Sequence, residues 1–134
     1  MISKIPKGDG EGVFRLWEYR VSHKQLLIRC PKLLPESSGS RNVDVKFYNV
    51  EYINLPTDFH DLEIDEANQD EISFANRCLG KPIDEARILV LKSREGRHLV
   101  IAGALAISES VMGAFESPFA LPPVDFSRKA PPIR

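Results

Sequence analysis

Apolar and polar positions in this chain alternate in short runs, and clusters of turn-forming residues separate the runs. Residues 13–21, VFRLWEYRV, put Trp17, Tyr19 and Val21 on one face of an extended segment and Glu18 and Arg20 on the other. Ser22-His23-Lys24 is a short polar connection, and residues 25–30, QLLIRC, form the returning strand of a hairpin, closed by Pro31 and Pro35. Residues 35–42, PESSGSRN, are a loop by their breaker composition. In residues 43–55, VDVKFYNVEYINL, the apolar phase runs through Val43, Val45 and Phe47 and then moves to Tyr48, Val50 and Tyr52. A one-residue phase change turns a strand over, so a bulge or break is predicted near residues 47–49, giving one bent strand or two short ones.

Residues 65–79 carry helical spacing. Ala67, Ile72, Ala75 and Leu79 share a face, with Phe74 and Cys78 beside it. Asn68 and Glu71 have the spacing of a capping box, Asp65 is the alternative cap, and Gly80 followed by Pro82 ends the helix. Residues 87–92, RILVLK, and 98–104, HLVIAGA, form a second hairpin around Gly96, and their near-continuous apolar character predicts strands covered on both faces. Gly103 marks a bulge or a close approach of another element, and residues 108–116, SESVMGAFE, read as a short capped helix. The sum is an α+β fold of mostly antiparallel pairing. The expected form is a strongly curved sheet or small open barrel of five to six strands, with one mid-chain helix and a short C-terminal helix.

The length of 134 residues fits a single domain, divided here into a flexible lead over 1–12, a folded body over 13–117 and a proline-rich extended or disordered tail over 118–134. The first residues have no apolar core of a secretory signal, and the longest apolar run, residues 99–107, is too short to span a bilayer as a helix. The expectation is a soluble, cytoplasmic protein without membrane attachment. Cys30 and Cys78 lie far apart with no CxxC spacing, so both read as reduced thiols packed like small apolar residues. Gly8, Gly10 and Gly12 lack the dinucleotide-binding spacing and no strand precedes them, so no cofactor is expected.

Charge changes the picture. The net charge of −1 looks bland, but residues 1–46 hold nine Lys/Arg against five Asp/Glu, and residues 77–134 hold nine against six. Residues 47–76 hold no Lys or Arg and eight acids: Glu51, Asp58, Asp61, Glu63, Asp65, Glu66, Asp70 and Glu71. Acids are favoured at a helix N-terminus on structural grounds alone. A functional reading is a docking face for a basic protein partner, with Asp58, Asp61, Glu63, Asp65 and Glu66 as binding residues. The protein would then be a non-enzymatic interaction module.

Other chemistries are weaker. Asp61, Glu63 and Asp65 have EF-hand-like spacing, but Glu66 stands where the loop needs Gly and Ile72 where it needs Glu, so no metal site is expected there. Asp58, His60 and Asp61 leave room for a weak divalent site or for a small hydrolase using His60 as base. No signature surrounds Cys30 as a nucleophile. The aromatics Trp17, Tyr19, Phe47, Tyr48 and Tyr52 suggest an aromatic pocket for a small ligand in a curved sheet. Base stacking by these rings on nucleic acid is disfavoured by the negative net charge and the absence of an RNP-type motif. Hairpin edges leave room for a homodimer.

Overall fold

The computed structural model describes residues 3–6, 12–31, 41–111 and 116–119. In chain order the strands are β1 (Ser3–Lys4), β2 (Val13–Arg20), β3 (Gln25–Cys30), β4 (Asn42–Tyr48), β5 (Tyr52–Asn54), β6 (Asp58–His60) and β7 (Glu63–Glu66). The helix α1 (Gln69–Leu79) and a 3-10 turn (Glu85–Arg87) follow, then β8 (Ile88–Ser93), β9 (Gly96–Ile101) and β10 (Ala104–Ser110). The strands form two five-stranded sheets, ordered β1-β7-β8-β9-β5 and β10-β4-β3-β2-β6, and every pair is antiparallel.

The expectation of a strongly curved sheet or barrel is corrected by this arrangement. The sheets are neither closed nor strongly curled, and the described residues hold ten strands rather than five or six. The reason lies in two crossings at one corner. Between β4 and β5, Asn49 takes a left-handed backbone with φ 54°, and the chain passes from the second sheet to the first. Between β9 and β10, Ala102-Gly103 returns it, and the Gly103 N–H donates to the Tyr48 carbonyl at 2.9 Å. A Cβ on Gly103 would stand 3.2 Å from Asn49 Cβ, so the close approach calls for the smallest residue. The predicted phase change at residues 47–49 is thus a change of sheet, and the long apolar run over 99–107 is two strands in different layers.

The faces follow the two-residue period. Leu26, Ile28 and Cys30 of β3 and Val43, Val45 and Phe47 of β4 face the first sheet, meeting Ile64, Leu91 and Val100 in the main core. The opposite face of the first sheet presents Ile88, Val90, Leu99 and Ile101 to Ile72 and Ala75 of α1. So β8 and β9 are covered on both sides, by sheet and by helix, as their continuous apolar character requires. The helix starts at Asn68, whose side chain accepts from the Glu71 N–H while Glu71 accepts from the Asn68 N–H, both at 2.9 Å. It ends at Gly80 in the left-handed conformation.

Other expectations shift. Asp65 and Glu66 belong to β7, not the helix. Ser108–Ser110, read as the start of a C-terminal helix, finishes β10, and residues 112–115 of that segment lie outside the described residues. Of the expected flexible lead, Ser3–Lys4 pairs with β7 and Ile5 is buried in the main core. Of the expected tail, Pro118 and Phe119 are described, and residues 120–134 lie outside the described residues. Cys30 and Cys78 are both free thiols, but Cys78 is exposed rather than packed.

Candidate functional site

The acidic run is folded against the basic flanks of the same chain. Asp65 and Glu71 hold Arg97, whose Nη1 reaches Asp65 at 2.8 Å while Nε and Nη2 reach the two Glu71 oxygens at 3.0 and 2.8 Å. A further Nη2 bond to the Glu66 carbonyl at 3.1 Å engages a fourth of the five N–H donors of that guanidinium. These bonds hold the Asp65 and Glu71 carboxyls below the usual carboxylate range and push Arg97 up. Asp61, on a left-handed backbone at φ 57°, binds Arg94 at 2.5 and 3.1 Å. Asp58 meets Arg15 at 3.4 Å. Glu51 lies 3.3 Å from Lys81 and also pairs with Arg87, and its carboxyl is lowered chiefly by the Lys81 bond. Glu63 stands opposite Lys92 in the β7–β8 register.

His60 does not converge with Asp58 or Asp61. Its Nδ1 lies 2.6 Å from Glu95, and its backbone N–H donates to the other Glu95 oxygen at 2.7 Å. That pair of bonds, the backbone one foremost, depresses the Glu95 carboxyl to about 2. Asp58, His60 and Asp61 therefore each point to a different partner. Among the described residues no three His, Cys, Asp or Glu side chains gather as a metal site.

Two depressions open beside the start of α1. One, of about 290 Å³, is lined by Asn54, Asn68, Asp70, Glu71, Phe74, Arg97 and Leu99. The other, of about 300 Å³, is lined by Glu66, Ala67, Glu85 and Ala86. Both draw on the acidic segment. Asp70, Glu66 and Glu85 are exposed at their rims.

The aromatics do not form one pocket. Phe47 is buried in the main core. Tyr48 packs edge-on to Phe119, and Tyr52, on the other sheet, packs edge-on to Phe74 of α1. Tyr19 is 42% exposed. Trp17 lies over the Arg29 guanidinium at 5.8 Å. The rings are divided among the core and two separate outer faces because β4 and β5 belong to different sheets.

The site that sequence reasoning missed lies beneath Trp17. Arg29 and Asp44 are register partners on the outer face of the second sheet and are fully buried. Arg29 Nε and Nη2 donate to the two Asp44 oxygens at 2.6 and 3.0 Å, and Nη1 donates to the Glu116 carbonyl at 2.6 Å. Arg20 donates to the Phe119 carbonyl at 2.9 Å, and the Ser117 hydroxyl donates to Glu18, so residues 116–119 lie as a strap across this face. The signal was Arg29, the one charge in the β3 segment QLLIRC, and Asp44 in the β4 segment VDVKF, where Lys46 is the other charge.

No helix among the described residues is long and apolar enough to cross a membrane. Comparison with protein-family models, with curated proteins and with solved structures gives no match for this chain.

Proposed function

We propose that this protein is a non-enzymatic interaction module that presents the acidic surface around the start of α1 to a basic protein partner. The observation that carries the reading is that both depressions open on the same short segment and are rimmed by the exposed carboxylates of Glu66, Asp70 and Glu85. The contact surface is narrower than the whole acidic run. Asp58, Asp61, Asp65 and Glu71 already hold Arg15, Arg94 and Arg97, so they shape the surface rather than offer charge to a partner.

Glu66, Asp70, Glu71 and Glu85, which line the two depressions, outweigh Arg97. A surplus of one sign on a concave surface steers and orients an oppositely charged partner, with an effect that fades as salt rises. The test is titration of the full chain with a lysine- and arginine-rich peptide at low and moderate salt. Asp70→Lys combined with Glu66→Lys and Glu85→Lys should weaken binding by about tenfold or more, on the scale of ~1.4 kcal/mol per factor of ten. Glu109→Lys combined with Glu18→Lys and Glu95→Lys, none of which lines either depression, changes the net charge equally and should leave binding nearly intact. Equal losses from both triple variants, or binding insensitive to salt, would overturn the reading.

A further inference from the structure

Among the described residues four strands end the two sheets, and they are not alike. In the first sheet the edges are β1, with 2 residues, and β5, with 3. In the second they are β6, with 3 residues, and β10, with 7. A strand of two or three residues offers too few backbone groups to template another chain. A long edge is normally blunted by lysine, proline or a bulge. β10, ALAISES, has none of these. Its register with β4 is unbroken from Ala104 to Ser110, and Glu109 is its single charged residue.

The side chains suit continuation of the sheet. Leu105 and Ile107 pack against the main core yet remain half-buried, as residues at an open sandwich margin would be. Ala104, Ala106, Ser108 and Ser110 occupy the other face and are small. Val111, just past the strand, is 61% exposed.

We propose that β10 is a self-association edge that pairs antiparallel with β10 of a second copy about a two-fold axis at Ile107, joining the two second sheets into one. The occupant is a second copy because an antiparallel strand pair is self-complementary: one edge supplies both sides of the contact. With the axis at Ile107, the two isoleucines face each other, Ala106 faces Ser108 and Ala104 faces Ser110. Each Glu109 falls opposite Leu105, so the only charges of the strand sit at opposite ends, roughly 13 Å apart along the strand direction at ~3.3 Å per residue. Exposed Val111 falls opposite Gly103, which has no side chain to obstruct it. A net charge of −1 per chain adds little repulsion. One such strand pair buries less than the ~1,200 Å² of a standard interface, so the dimer is a weak, reversible one.

Sedimentation velocity of the full chain, from about 5 μM to about 500 μM, should give a mass rising from 15.1 kDa toward twice that value, as mass action requires. Ile107→Lys, which sets two ammonium groups on the axis, should weaken association by about tenfold or more while circular dichroism stays unchanged. Register is read by disulfide trapping in a Cys78→Ser background. Ile107→Cys should cross-link to itself, Ala104→Cys should not, and a mixture of Ala104→Cys with Ser110→Cys should. A mass of 15.1 kDa at every concentration overturns the proposal, as does trapping that ignores the register. So does slow hydrogen exchange of all β10 amides in dilute solution, which would mean that the edge is already covered within one chain. The cysteine and exchange readouts decide the matter even if Ile107→Lys does not fold.

Discussion

Arg97 and Arg29 each hold carboxylate oxygens through forked guanidinium bonds, one at the open junction of β9 with α1, the other beneath the outer face of the second sheet. The lengths are alike: 2.8 and 3.0 Å from Arg97 to Glu71, 2.6 and 3.0 Å from Arg29 to Asp44. The surroundings are not. The Arg97 side chain is 33% exposed, whereas Arg29 and Asp44 are 0% and 1% exposed. Water screens the first pair and competes for its bonds, so it adds little to stability and leaves the local charge adjustable. The second pair has given up its hydration, so each partner depends on the other. The same contact is a surface device in one place and a structural commitment in the other. Only the exposed version fits a docking surface.

Removing one member separates the two most sharply. Asp44→Asn would take the Asp44 counter-charge from a buried guanidinium. The expected cost is about 3–5 kcal/mol, or a fall in Tm of roughly 10–20 °C for a domain of this size. Replacing both members by apolar residues, Arg29→Met with Asp44→Leu, should restore most of that stability, because no charge is then stranded. Thermal unfolding of the two variants and the parent checks this. Equal instability of single and double variants would mean that Arg29 matters mainly for holding the strap at Glu116, not for its pairing with Asp44.

This contrast also marks what could be read from sequence. The β2–β3 and β8–β9 hairpins and the capped helix rest on local rules: alternation, a turn glycine, the Asn68–Glu71 spacing. They were legible. The pattern offers no strand at β6 and puts Asp65 and Glu66 of β7 in the helix, because each strand carries one buried apolar residue among charges, Phe59 in DFH and Ile64 in EIDE, too few to set a period. The change of phase near Asn49 was visible, but nothing local says that the chain leaves one sheet for another there. The acidic run was visible as composition, yet its meaning depends on partners such as Arg15, Arg94 and Arg97, which lie 26 to 43 positions away. Long-range pairing of that kind has no local signature, and the five aromatics were misjudged as one cluster for the same reason.

A smaller effect is expected at the exposed pair. Arg97→Gln should cost about 1 kcal/mol or less, since the pair is screened and part of the side chain's packing is kept. Its effect on charge should exceed its effect on stability. Freed from Arg97, Asp65 and Glu71 add to the surplus of Glu66, Asp70 and Glu85, so the basic peptide should bind several-fold more tightly at low salt. Weaker binding would mean that Arg97 itself belongs to the contact surface. A loss of stability comparable to that of Asp44→Asn would erase the distinction between the two regions.

The smallest effect concerns pH, at the His60–Glu95 pair. The Glu95 carboxyl is held at about 2 by the His60 backbone N–H and ring, against 4.5 for the ordinary group. A carboxyl depressed on folding binds fewer protons in the native than in the unfolded chain, so stability rises with pH between the two values. Its contribution is fully present above about 4.5 and is lost as pH falls toward 2. Glu95→Gln keeps an acceptor for the backbone N–H but has no carboxyl to titrate. The Tm difference between parent and variant should therefore be constant near neutrality and shrink below pH 4.5, by a small amount because the side chain is 36% exposed. Adding salt should shrink the difference near pH 6 as well, which burial would prevent at Asp44. A difference that stays flat down to pH 2 would show that the bond to His60 does not persist in solution. The turn bearing Glu95 would then be held at the end of β6 by the backbone bond from Arg94 to His60 and by the Arg94 side chain on Asp61.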